Sequence, residues 1–402
     1  MRVYRRSKFL TLVTLAALGS IALAQENEFR IGALTPLTGA GSPYGPGMLA
    51  AIKLAVEEIN QAGGVLGKKV VVISEDDQTD PEAAVRAAKK LIEVNRVSAI
   101  IGTWSSGVTM AVLPLTTKAG IIEMNTSGAP EISKIGKETG LVYRTQASNT
   151  LFGVVFSKVA LKEGFKRAAT MAFNNPSGLG NTQEFAKNFV AAGGVITASV
   201  VYEGGRTTYR SELEKALSSK PEVIVMGSYL PDTTIILKEW YQLNEPMHFI
   251  APAWAVNDRL IKSVGAEVAE GVYAVDAVPN FGSKSYARFA EAYQKATGQK
   301  VTENPYSAMV YDATTVLALA IEAAKSTDPA VFKKYIRDVS GPPGQRVYSF
   351  AEGVTALKSG KAINYEGASS AIDFDESGDV RPAFGVYKVE KGKINLKYII
   401  KP

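Results

Sequence analysis

Cysteine is absent from all 402 residues, and histidine occurs once. The first absence removes thiol nucleophiles, thiolate metal ligands, disulfides and any lipid-bearing cysteine. The second leaves a Ser-His-Asp triad to be built on His248 alone. That residue stands in the apolar run Met247-His248-Phe249-Ile250, which reads as a strand with the histidine packed in the core. Runs of Lys and Arg interleaved with aromatics are missing too, so no nucleic-acid-binding face is written into the chain. The formal net charge of +6 is mostly the work of four bases among the first 24 residues, and about +2 remains without them.

Those first residues have a form of their own. Arg2, Arg5, Arg6 and Lys8 precede the apolar run Phe9–Leu23, which closes on Ala22-Leu23-Ala24 before Gln25. A basic head, a short apolar stretch and an Ala-x-Ala-like exit predict a signal peptide over residues 1–24. The expected product is an exported protein, periplasmic or secreted, not lipid-anchored, with no later stretch long and apolar enough to span a membrane. About 378 residues then remain, enough for two ordinary domains. A content of 46% hydrophobic and 21% charged residues suits a chain that builds its own core.

Strand-length apolar runs alternate with helical periodicity. Phe29–Leu34, Val70–Ser74, Ser98–Ile101 and Gly120–Met124 read as buried strands, with helices over Gly47–Gln61, Pro81–Val94 and Gly107–Ala119 between them. Asp80 before Pro81 is a helix start signal, and Gly63-Gly64 closes the preceding helix. The pattern repeats in strands Arg167–Phe173, Val195–Tyr202, Glu222–Gly227 and Met247–Ala251, separated by helices Asn181–Ala192, Tyr209–Ser219 and Asp232–Leu243. Helices over Tyr306–Lys325 and Asp328–Asp338 follow, then strands at Ala371–Phe374, Phe384–Val389 and Ile394–Ile400 with turns near Gly378 and Gly392. Two βαβα halves imply an α/β fold with parallel sheets in two similar lobes.

Several motifs carry chemical meaning. Gly39-Ala40-Gly41-Ser42-Pro43-Tyr44-Gly45 sits where a dinucleotide fingerprint would, but its third glycine comes one residue late and Pro43 lacks an N–H. A ligand-facing loop with Tyr44 at its tip is expected instead. Asp373-Phe374-Asp375-Glu376-Ser377-Gly378-Asp379 resembles half a calcium loop, yet Phe384 stands where the bidentate acid belongs, and a solvated turn is expected. Thr103-Trp104-Ser105-Ser106-Gly107 and Asn125-Thr126-Ser127-Gly128 both follow strands. Hydroxyls and free N–H groups there suit a carboxylate at the carboxyl edge of an open sheet, although serine is also an ordinary helix cap. Glu75, Asp76 and Asp77 form the one dense acidic cluster at a strand end. They keep a carboxylate-based hydrolase open as an alternative, against a solvated strand terminus leading into the Asp80 cap.

Longer runs resemble a known family. Ala55-Val56-Glu57-Glu58-Ile59-Asn60-Gln61-Ala62-Gly63-Gly64-Val65-Leu66-Gly67 is similar to the signature of periplasmic solute-binding proteins of the leucine/isoleucine/valine type. So are Asp76-Asp77-Gln78-Thr79-Asp80-Pro81, Ile101 to Thr109, and Tyr365-Glu366-Gly367, in the expected order between about Phe29 and Lys388. The resemblance implies a type I periplasmic binding protein fold, two Rossmann-like lobes joined by three crossovers. On this chain it places residues 27–146 and 279–366 in an N-terminal lobe and 147–278 and 367–402 in a C-terminal lobe. The crossings would fall near Arg144–Ala147, Asp276–Pro279 and Asn364–Ala371.

The resemblance also implies a function: capture of an amino acid or related small carboxylate or amide between the lobes, and delivery to an ABC transporter permease. A sensory ligand-binding module is a further alternative. By correspondence, Ser105, Ser106, Thr126 and Ser127, with Asn125 beside them, would hold the ligand carboxylate, and Tyr44, Trp104, Tyr229 and Trp254 would wall the cleft. The family usually places an acid for the ligand ammonium where this chain reads Ala251-Pro252-Ala253-Trp254, with Ala253 at the acid's place. Asp276 is the nearest candidate acid. The expected ligand therefore has one carboxylate or amide, an apolar or aromatic body, and a weak dependence on its α-amine. No cofactor, metal or catalytic residue is implied, and the shuttle role makes a monomer the default.

Overall fold

The computed structural model describes residues 27–402, so the expected signal peptide lies outside the described residues. Five parallel strands make the first sheet: β1 (Glu28–Thr35), β2 (Lys69–Asp76), β3 (Ala99–Gly102), β4 (Ile122–Asn125) and β5 (Val142–Arg144), in the order β2-β1-β3-β4-β5. Every residue of β3, β4 and β5 is buried, as expected for a sheet covered on both faces. The second sheet holds β6 (Arg167–Phe173), β7 (Val195–Tyr202), β8 (Val223–Gly227), β9 (His248–Pro252) and β10 (Tyr273–Ala277) in parallel. A short parallel pair, β11 (Gln345–Val347) and β12 (Ile363–Tyr365), stands apart. The hairpin of β13 (Phe384–Glu390) and β14 (Lys393–Ile400) then joins the second sheet antiparallel to β10. Its turn places Lys391 and Gly392 both at positive φ, the conformation a tight hairpin requires.

Local chemistry explains the helix boundaries. Asp80 accepts from the Ala83 N–H at 2.7 Å and caps the helix Pro81–Lys89, which continues as a π-turn over Lys90–Val94. Gly64, at φ +76°, turns the chain into β2, and a side chain there would strike the Lys68 carbonyl. The helix Pro305–Ala324 is long and apolar enough to cross a membrane by length and composition, contrary to the sequence expectation. Its apolar surface is instead almost wholly buried, packed against Gly45–Gln61 on the first sheet, where Tyr311 donates to Glu58 at 2.7 Å.

Sequence order in both sheets reverses beside the first strand of each, between β1 and β3 and between β6 and β8. Loops leaving the carboxyl ends of strands at such points form the natural crevice of an open α/β sheet. The chain passes between the sheets three times: after β5, after β10, and between β12 and β13.

Four further expectations are corrected. Ala371–Phe374 forms no strand, because Ile372 sits at φ +61° and the preceding stretch is captured by Asp312. That buried carboxylate accepts from the Tyr365 hydroxyl, the Ala368 and Ser369 N–H groups and the Ser369 hydroxyl, at 2.6–2.9 Å. Asp379 is no solvated turn residue: it pairs through both oxygens with fully buried Arg144, at 2.6 and 2.8 Å. His248 is not a core histidine either; it is exposed at the amino end of β9, beside the Phe165 ring and away from the crevice. The helix expected over Asp328–Asp338 is broken into Pro329–Phe332, a 3-10 turn at Lys333–Tyr335, and Ile336–Ser340.

Candidate functional site

The two crevices face each other, and the side chains that meet there come from strand ends and helix starts. After β3, Thr103 takes a left-handed conformation, which swings Trp104 and Ser105 toward the crevice before the helix Ser106–Ala119 begins. Ser105 is the N-cap residue, yet its hydroxyl does not cap. It meets the Tyr229 hydroxyl from the second sheet at 3.3 Å instead. The first turn of that helix therefore keeps its N–H groups without a side-chain cap, an arrangement that attracts anionic oxygen.

Ser106 works differently. Its oxygen accepts from the N–H groups of Gly128 and Ala129, at 3.2 and 3.1 Å, tying the loop after β4 to the loop after β3. A hydroxyl that accepts twice still has its own proton to give. Thr126, on the next strand end, has a buried hydroxyl with no partner. Both residues line a cavity of about 20 Å³ between the sheets.

Aromatic rings close over that cavity. Trp104 lies 5.4 Å from Tyr44, 5.2 Å from Tyr229 and 5.9 Å from Tyr306, ring centre to ring centre. Trp254 packs edge-on against Phe152 and donates to the Ser228 carbonyl at 3.0 Å. Tyr44 donates to the Trp254 carbonyl at 3.2 Å, and Asn257 donates to the Tyr44 hydroxyl at 3.1 Å. The remaining space is that of about one water molecule, so the walls must part before any amino-acid-sized solute enters. A larger open groove, about 500 Å³ and lined by Lys53, Val56, Glu57, Asn60, Gln61 and Val72, lies on the outer edge of the first sheet, away from the crevice.

No side chain lining the cavity carries a formal charge. Asp276 lies just behind it, at the end of β10, fully buried, accepting from Ala277 N–H at 2.8 Å and from Gln146 at 3.5 Å. Burial pushes its carboxyl up to about 7 despite those two bonds. Burial likewise raises the hydroxyl pKa of Tyr44 and Tyr306, and the Asp276 charge adds to both. Beneath the β3 and β4 loops, Glu123 accepts from Thr116 at 2.8 Å and Thr103 at 3.3 Å, and burial pushes it up to about 7.

The structure therefore brings Tyr44, Trp104, Ser105, Ser106, Thr126, Tyr229 and Trp254 together and sets Asp276 one layer back. Two predicted residues turn away. Asn125 accepts from Ser127 N–H at 3.1 Å and donates to the Tyr143 carbonyl at 3.3 Å, bracing the strand end. Ser127 donates into the carbonyls of Thr103 and Trp104 and meets Thr109, all inside the first lobe. Sequence reasoning missed Gln146, Asn149, Ser177 and Tyr306, which also line the cavity. Gln146 and Asn149 follow β5, a third adjacent strand end whose three residues were too short to read as a strand. Ser177 begins a helix capped by Asn175, a signal present in Asn175-Pro176.

The acidic cluster does not assemble a catalytic pair. Glu75 is paired with Lys90 at 2.6 Å, and Asp76 accepts from the Leu37 and Thr38 N–H groups. Asp77 is fully buried rather than solvated, and burial pushes it up to about 7. Among the described residues, no group of three or more His, Asp or Glu is arranged to hold a metal ion.

A family model described as periplasmic binding protein matches residues 28–390. The Leu/Ile/Val-binding protein BraC3 of Rhizobium johnstonii is 28% identical over 394 residues, covering 96% of this chain and 98% of its own. The leucine-, isoleucine-, valine-, threonine- and alanine-binding protein of Pseudomonas aeruginosa is 24% identical over 390 residues, covering 96% of each. The crystal structure of a leucine binding protein from Thermotoga maritima superposes with a TM-score of 0.80 at 24% identity, covering 93% of this chain and 99% of that one.

Proposed function

The chain belongs to the periplasmic binding protein family, and from that premise we propose that it is an exported solute-binding protein that captures a small carboxylate or amide for an ABC importer. The carrying observation is the polar pole of the cleft. The Ser106 proton, the unpartnered Thr126 hydroxyl and the uncapped helix start converge on one end of the cavity, opposite rings from both sheets. An acceptor-rich group meets neutral donors there, and an apolar body meets Trp104, Tyr229, Trp254 and Tyr306. The curated relatives named for binding leucine, isoleucine and valine support a ligand of that size.

Binding proceeds by hinge closure, without chemistry on the ligand. Contacts from both sheets are made only when the lobes meet, so ligand binding favours the closed form that a permease would dock. The lobes comprise residues 27–146 with 279 to about 379, and 147–278 with 380–402. Our third boundary is set later than the 366/367 division read from the sequence, a choice supported by the contacts of Phe374, Glu376 and Asp379 with Tyr143, Lys137 and Arg144. The working form is a monomer in the periplasm.

Titration calorimetry against amino acids and small aromatic or aliphatic carboxylates, paired with small-angle scattering, tests this reading. The expected result is saturable one-to-one binding with a smaller radius of gyration. Protein that neither binds nor closes with any member of the panel would overturn it.

A further inference from the structure

The carbonyl oxygen of the Asn149 side chain is buried and has no hydrogen-bond partner. Its amide nitrogen donates to the Ser177 carbonyl at 3.1 Å, which fixes the amide orientation, since the reverse would set two carbonyl oxygens against each other. The backbone of Asn149 is held as firmly, donating to the Gly128 carbonyl at 2.7 Å. The free oxygen lies over Gly128: a side chain built on that glycine would overlap it. Gly128 in turn donates to Ser106, so this lone acceptor stands beside the polar pole formed by Ser106 and Thr126. An amide oxygen can only accept, and leaving it unpaired in the interior is costly.

We infer that Asn149 is a specificity-determining residue that reads a hydrogen-bond donor on the carbon next to the ligand's carboxylate, and reads it without regard to charge. The inference rests on the proposed carboxylate-binding role of the cleft. A carboxylate alone satisfies the donors of Ser106 and Thr126 but offers Asn149 nothing. An α-ammonium or an α-hydroxyl supplies the missing proton equally. A neutral amide adds no counter-charge, and the side chains lining the cavity include no acid that would prefer the ammonium. The ligand class is therefore 2-amino and 2-hydroxy acids together.

Calorimetry on the full exported chain with two matched sets decides it: leucine, leucic acid and isocaproate, then phenylalanine, phenyllactate and hydrocinnamate. The amino and hydroxy acids of the better-binding set should agree within about tenfold. Both should bind at least about tenfold tighter than the unsubstituted acid, the effect of one unmet buried acceptor. Asn149→Leu should bring all three together, while Asn149→Asp should favour the amino acid. Equal binding of all three by the unaltered protein overturns the inference and leaves the proposed function standing. A preference of more than about tenfold for the amino acid over the hydroxy acid also overturns it, and points to Asp276 as counter-charge. Failure of every compound to bind removes the proposed function and this inference with it.

Discussion

The hydroxyls of Ser105 and Tyr229 stand 3.3 Å apart although 124 positions separate them in the chain. One begins the helix after β3 on the first sheet, the other the helix Leu230–Leu243 after β8 on the second. Each residue thus gives its side chain to the opposite lobe rather than to its own helix cap; Asp232 accepts from the Tyr229 N–H at 3.0 Å. The Trp104 and Tyr229 rings, tilted by 34° with centres 5.2 Å apart, lie beside this bond.

Tyr229→Phe keeps the ring contact and removes the bond. One net hydrogen bond is worth about 0.5–1.5 kcal/mol, so ligand should dissociate roughly two- to tenfold faster. Stopped-flow displacement reads this directly. An unchanged release rate would mean the hydroxyl pair does not hold the lobes together.

Ser106 and Thr126 should separate stability from binding. Ser106→Ala orphans the Gly128 and Ala129 N–H groups and should lower folding stability by about 1–3 kcal/mol as well as affinity. Thr126→Val removes a hydroxyl that has no protein partner, so melting should hold or rise while affinity falls. Denaturant titration and calorimetry on both variants supply the comparison.

Arg144 and Asp379 form a buried pair with both oxygens engaged. Asp379→Ala leaves a buried guanidinium without its counter-charge and should cost about 3–5 kcal/mol. Lys137→Ala breaks the exposed bridge to Glu376 a few residues away, which water screens, and should leave the unfolding midpoint nearly unchanged. Urea unfolding measures both, and equal losses would contradict the burial argument.

Stability should fall as pH rises toward neutrality. Glu123 ordinarily titrates near 4.5 but in the fold near 7, because burial disfavours its anion. Between those values the folded protein holds a proton that the unfolded chain has released. Its contribution is thus complete below about 4.5 and is lost as pH rises through about 7. Asp77 and Asp276, raised from 3.8 to about 7, act in the same direction. The melting temperature should be higher at about pH 5.5 than at about pH 8, and Glu123→Gln should flatten the difference. A melting temperature that rises over that interval would refute this.

Much of this architecture was written in local patterns. Strands buried on both faces, such as Arg167–Phe173 and Val223–Gly227, announced themselves as apolar runs, and the alternation with helices gave parallel sheets. The hydroxyl-bearing strand ends at Ser105–Ser106 and Thr126 were legible because sheet edges place such residues in crevices. Asn125 and Ser127 show where that logic stops. Neighbouring residues on one strand end look alike in sequence, and only hydrogen bonding decides which face the cavity. Asn149 was hidden because β5 has three residues, too few for periodicity to register. Tyr306 was hidden because its place comes from a chain segment that returns to the first sheet after two crossings. Long-range placement of that kind leaves no local trace.

The fastening of Asp379 to β5 has a mechanical consequence. Four residues on, the Ala383 carbonyl already accepts from Val278 on the second sheet. Val380, Arg381 and Pro382 alone lie between the two anchors. Proline fixes one backbone angle and restricts the residue before it. This strand of the connection can thus absorb torsion but little sideways play. It acts as a pin, and the gape of the molecule should trace a single arc.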